Sequence, residues 1–128
     1  MKKKFSVAVY GILGGLFILG GGIGLFYPSM AAPPQEGNSE SIALLQDALT
    51  HFTMELGGTF LALGAALIWC MFNYEKVGKL NYAFLIFALA FAGIHWYEYF
   101  DGALNIMSPL FNTIPALLFT TLIYLRKE

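Results

Sequence analysis

The chain has 128 residues, 58% of them hydrophobic and only 12% charged, with a formal net charge of −1. A water-soluble domain of this length carries roughly 25% charged residues, so the composition excludes an ordinary aqueous fold and, lacking a basic excess, a nucleic-acid partner. The single cysteine, Cys70, excludes an internal disulfide and, set in an apolar run, reads as a small buried hydrophobe.

Four apolar segments follow one another at about 5–27, 51–73, 80–100 and 106–125. Each is near the roughly 20 residues that cross a bilayer as a helix. An open sheet would leave backbone groups unsatisfied in lipid, so the spans are expected to be helical. The predicted fold is all-α: one integral membrane domain over 1–128, built as a four-transmembrane-helix bundle. The opening "MKKK" and the later "SMAA" look like parts of a signal peptide. However, an apolar run of about 22 residues exceeds the 7–15 of such a peptide, and the segment reads as a retained span. The outer loop, 28–50, begins irregularly with "PSMAAPPQEGNSE". "SIALLQDALTHF" then spaces Ile42, Leu45, Leu49 and Phe52 helically, as a short surface helix or an extension of the second span. Pro115, inside the fourth span, is expected to kink it and free a carbonyl.

The seven basic residues are Lys2, Lys3, Lys4, Lys76, Lys79, Arg126 and Lys127. With four spans they fall on one side, which the positive-inside tendency makes cytoplasmic. Glu36, Glu40, Asp47 and Asp101 fall on the other. Both termini are thus expected inside a bacterial inner membrane. Tyr27, Trp96 and Tyr97 would mark the outer interface; Trp69, Tyr74, Tyr82 and Tyr124 would mark the inner one.

Glycines at 11/15 and 20/24 give two GxxxG spacings in the first span, a device for close helix approach in lipid. Gly58, Ala62 and Ala66 repeat it in the second span, and Ala88 and Ala92 in the third. The glycines serve packing within one bundle, or Gly11, Gly15, Gly20 and Gly24 present a face to a membrane-protein partner or a second copy.

At 100° per residue, His51, Glu55, Gly58, Thr59, Ala62 and Ala66 share one face of the second span, predicted to turn inward. His95, Glu98 and Tyr99 share a face with Ala88 and Ala92, while Trp96, Tyr97 and Phe100 point to lipid. Asn105, Ser108 and Asn112 line up on the fourth span. Polar groups therefore converge at the outer end, where an ionisable residue in a span suggests a functional site. Three readings stay open. One is a hydrogen-bonded clip between helices, such as Glu55–His95. Another is an outward pocket of His51, Glu55, Thr59, His95, Glu98, Tyr99 and Asn112 for a quinone, isoprenoid or lipid headgroup. The third is one divalent metal on His51, Glu55, His95 and Glu98. The carboxylates are too few for a two-metal centre. Asp101 before Gly102 reads as a turn. No nucleophile elbow, phosphate loop or CxxC occurs, and no cofactor is predicted outright.

"GILGGLFILGGGIGLFYP", "ELGGTFLALGAALI" and "FDG" resemble the small four-helix bacterial membrane proteins of the DoxX-like group. That resemblance implies a four-helix bundle with both termini inside. It also implies a quinone pocket or an accessory-subunit role, since some members are linked to quinone-coupled sulfur oxidation as membrane subunits. An arginine often precedes the paired glycine of the second span in that group; here His51 and Glu55 stand there. The expected function is a non-catalytic accessory or scaffold subunit of a larger membrane complex. The alternative is an outward-facing ligand-binding or mononuclear-metal redox protein.

Overall fold

The computed structural model describes residues 2–31 and 40–126; Glu36, Lys127 and the 32–39 stretch of the predicted outer loop lie outside them. Every element among the described residues is helical. The order is α1 (Lys2–Phe26), α2 (Pro28–Ala31), α3 (Glu40–Phe72), α4 (Leu80–Phe100) and α5 (Met107–Arg126). Of these, α1, α3, α4 and α5 are long and apolar enough to cross a membrane. Their exposed faces carry large apolar side chains, such as Ile12, Leu16 and Leu19 on α1 and Ile86 and Leu89 on α4, while Asn81 and Ser6 are buried. That distribution suits lipid, which solvates leucine as well as a protein core does.

The helix bounds match the predicted spans except at α3, which begins at Glu40 and runs unbroken for 33 residues. Of the two predictions for 41–52, continuous extension of the second span is the one realised. At 1.5 Å per residue α3 is roughly 50 Å long, well beyond the roughly 30 Å of a hydrocarbon core. The surplus lies at the end carrying Glu40 and Asp47. α5 runs through Pro115 without interruption. Proline brings no N–H, so the Phe111 carbonyl loses its donor.

The chain divides into two compact units, Met1–Val9 with Asn73–Glu128, and Tyr10–Phe72. In the second unit α1 and α3 meet backbone to backbone. A Cβ added at Gly21 would stand 2.5 Å from Leu61 N and 2.7 Å from Gly57 O; one at Gly64 would stand 2.7 Å from Ile18 N and 2.8 Å from Gly14 O. Gly14 and Gly21, like Gly57 and Gly64, are seven residues apart, so each pair returns to one face after two turns. Phe17 stacks on Phe60 beside this seam, centroids 5.4 Å apart. Pro28 opens α2, where its missing N–H costs nothing, and α2 lies against α3.

The inward face predicted for α3 is corrected here. Gly57, Gly64, Leu67 and Cys70 are buried, whereas His51, Glu55, Thr59, Ala62 and Ala66 are exposed. Two small-residue stripes run along this helix roughly 180° apart. The one with direct backbone contact to α1 is Gly57/Gly64.

In the first unit α4 and α5 form a hairpin. Phe84 stacks on Phe119 (5.3 Å), and Ala88, Ala92, Ala116 and Leu122 are buried around them. α4 stops in a Schellman turn: Gly102 N–H donates to Tyr99 O (3.1 Å) and Ala103 N–H to Glu98 O (2.9 Å). Gly102 supplies the left-handed residue, φ 83°. Asp101 is the helix's C-cap, as its place before a glycine predicts. On the far side of the turn Asn105 Oδ1 accepts the Met107 N–H at 3.0 Å and caps the start of α5.

Neighbouring glycines make a controlled test of the α1–α3 seam. Gly57→Ala pushes a methyl into the α1 backbone and should lose about 1–3 kcal/mol of stability. At Gly58 a Cβ meets nothing within 4 Å, so Gly58→Ala should be neutral or stabilising by up to about 1 kcal/mol. Gly102→Ala, forced into left-handed backbone, should cost about 1–2 kcal/mol. Thermal unfolding of the three variants in detergent micelles checks the order.

Candidate functional site

The polar residues predicted to converge bond mainly along their own helices. His51 Nε2 lies 3.2 Å from Glu55 Oε1, one turn on, with side chains 76% and 67% exposed. Thr59 donates to the Glu55 carbonyl (3.0 Å). On α4, His95 Nδ1 lies 2.9 Å from Phe91 O. A carbonyl only accepts, so Nδ1 is the donor of this pair. The Asn112 amide donates to Ser108 O (2.9 Å). Glu98 and Tyr99 are half-buried, and the Tyr99 ring meets Trp96 edge-on. His51, Glu55 and Thr59 belong to one unit, and His95, Glu98, Tyr99 and Asn112 to the other. Within neither unit do three or more His, Cys, Asp or Glu side chains among the described residues gather around one point.

Trp96, predicted to point away from the other helices, turns toward α5. It is half-buried, and its indole N–H donates to Thr113 Oγ1 on α5 at 3.0 Å. Thr113 in turn donates to Pro109 O (2.7 Å). An indole N–H in a span needs an acceptor, and a threonine across a short hairpin provides one.

A cleft lies at the opposite end of α4 and α5, inside the first unit. Its volume is about 750 Å³. The start of α1 contributes Lys2 and Ser6; the 73–79 connection contributes Tyr74, Glu75, Lys76, Gly78 and Lys79. Tyr82 of α4 and Ile123, Leu125 and Arg126 of α5 complete the wall. The charges are lopsided: four basic side chains face one carboxylate, Glu75. That carboxylate lies 3.9 Å from Lys3 Nζ, with both side chains exposed.

Arg126 organises the cleft. Its Cζ stands 5.4 Å from the centre of the Tyr74 ring, and Lys3 Nζ lies 5.2 Å from the same ring. Both distances are within cation–π range. A Cβ on Gly78 would stand 2.6 Å from Arg126 Nη1, so the missing side chain makes room for the guanidinium. Nη2 is buried and has no hydrogen-bond partner among the described residues. A guanidinium nitrogen withheld from water and left unbonded is costly, and it ordinarily marks a place for an acceptor. The sequence presents these lysines and this arginine only as an orientation signal. Gly78 and Arg126 are 48 positions apart, and no spacing rule links them. No family model matches the chain, and no curated protein or solved structure matches it either.

Proposed function

We propose that this protein is a non-catalytic accessory subunit of a bacterial inner-membrane complex, a four-helix bundle with both termini cytoplasmic. The orientation is supported by the gathering of basic residues from three separate chain segments. Lys3 reaches Glu75 and Arg126 reaches Tyr74, so the start of α1, the 73–79 connection and the end of α5 share one end. Lysine and arginine concentrated there favour the cytoplasmic side. Asp47 and Asp101 stand toward the other ends of α3 and α4.

The observation that carries the subunit reading is the surplus of glycine on α1. Gly14, Gly21 and Gly24 would each bring a Cβ to within 3.2 Å of α3, whereas at Gly15, Gly20 and Gly22 a Cβ meets nothing within 4 Å. A glycine inside a helix costs about 1 kcal/mol relative to alanine. Gly15 and Gly22 share one side of α1, with Gly20 about 140° from Gly15, and no contact at the α1–α3 seam offsets that cost at any of the three. They suit the close approach of another membrane helix, from a partner or a second copy.

Gly15→Leu with Gly22→Leu should leave the melting temperature near that of the parent, because both positions are open. The same double variant should release the partner, or dissociate the dimer, by about tenfold or more, the size of a lost close-packed contact. Gentle detergent extraction from the native membrane, with mass spectrometry of the intact assembly, reads both. A parent protein that emerges as a monomer with no stoichiometric companion sinks the proposal.

A further inference from the structure

We infer that the basic cleft of the first unit is a binding site for a phosphate group, carried by the headgroup of an anionic phospholipid. The inference adds a ligand to the membrane placement proposed above and is independent of the subunit role.

Three observations combine. The Nη2 of Arg126 is buried without a partner among the described residues, and its guanidinium is held from two other sides, by the Tyr74 ring and by the space at Gly78. A compact anion suits it, because a guanidinium offers a planar fork of donors matched to phosphate or carboxylate. The cleft's own carboxylate, Glu75, stands beside Lys3 instead. Next, Lys76 and Lys79 line the same cleft with Arg126 and are exposed, so their ammonium groups are free to turn toward a bound anion. Lys79 is also the N-cap of α4, and the positive end of that helix dipole adds to the field.

The rest of the wall selects the carrier. Tyr74, Tyr82, Ile123 and Leu125 line the cleft beside the cations. A free inorganic anion gains nothing from them. A phospholipid does: its phosphate meets the guanidinium while its glycerol and upper acyl carbons meet aromatic and aliphatic surface. The site sits where the start of α1, the connection before α4 and the end of α5 carry lysine and arginine, a place suited to headgroup depth in the membrane placement proposed above. Basic pockets at this depth between transmembrane helices are suited to anionic headgroups.

The test uses the full-length protein in neutral detergent, with native mass spectrometry against dioleoyl-phosphatidylglycerol and dioleoyl-phosphatidylcholine, and a thermal-shift titration with inorganic phosphate in parallel. The expected result is retention of phosphatidylglycerol over phosphatidylcholine by about tenfold, the scale of one strong charge-assisted contact. Arg126→Gln should erase that preference. Lys79→Gln, at an exposed position, should lower it without disturbing the fold. Gly78→Ala keeps every charge but displaces the guanidinium, and it should also lower the preference. Saturable stabilisation by inorganic phosphate without phosphatidylglycerol preference would keep the phosphate site and overturn the lipid carrier. Equal retention of both lipids with no effect of phosphate, or Lys79→Gln and Gly78→Ala behaving as the parent, would overturn the site. The loss of a partner in the glycine-face experiment leaves this outcome untouched, so the two proposals fail separately.

Discussion

A chain that passes through lipid must satisfy its own hydrogen-bonding groups, and most of what is seen here follows from that requirement. The backbone answers with helices. The side chains answer in the same local way: Ser6 donates to Lys2 O, Thr53 to Leu49 O, Thr113 to Pro109 O, Thr120 to Ala116 O and Thr121 to Leu117 O. Each polar group turns back one turn and finds a carbonyl four residues earlier. His95 and Asn112 do the same. A hydroxyl or amide with a backbone acceptor within one turn has little need of another helix. Polar residues that share a depth on a helical wheel therefore need not meet.

Close approach has to come from shape, because lipid gives apolar side chains no reason to leave it. The α1–α3 seam meets this demand by removing side chains altogether, so that peptide groups touch at Gly21–Gly57 and at Gly14–Gly64. The α4–α5 hairpin meets it differently. It stacks Phe84 on Phe119 and sets one indole hydrogen bond, Trp96 to Thr113. The segments behind the DoxX-like expectation have these same physical roles. "GILGGLFILGGGIGLFYP" and "ELGGTFLALGAALI" supply the glycine seam, and the glycine of "FDG" supplies the left-handed residue of a helix cap. Tight helix pairs and capped helix ends need such residues in any membrane protein, so likeness in them follows packing more closely than chemistry.

The number of long helices was legible because twenty-residue apolar runs have one solution in lipid, and three of the four kept their predicted bounds closely. The start of α3 was not, because Glu40–Leu49 is too polar to score as a span yet continues the same helix. Its facing was ambiguous for a particular reason. The pair Gly57–Gly58 puts a small residue on both sides of the helix, and Ala62 and Ala66 continue one stripe while Gly64 continues the other. Counting small residues favoured the wrong side; what decided it was complementarity with Gly14 and Gly21, which belongs to two segments at once. The facing of Trp96 was ambiguous for a related reason: a wheel projection sets it away from the other helices, but its indole has Thr113 within reach across a short hairpin. Of the candidate polar residues, the sequence located each on its helix correctly. It did not reveal that most of them are bonded within one turn.

The basic end shows the limit of reading charge as a label. In sequence, Lys76, Lys79 and Arg126 indicate direction across the membrane, and any arrangement of them would indicate it equally well. In the fold they are brought to one cleft with a single carboxylate, and that arrangement is not neutral. Like charges gathered at short range repel, and the ring of Tyr74 offsets only part of that by drawing in Arg126 and Lys3. A soluble domain would interleave acids to relieve the repulsion. In the membrane placement proposed above, anionic headgroups are another source of negative charge. The one glycine in the connection, Gly78, stands where a side chain would exclude the guanidinium. The connection leaves room for Arg126, whose Nη2 has no hydrogen-bond partner among the described residues. Residues that in the sequence read only as an orientation signal therefore line a cleft in which one buried donor has no partner among the described residues.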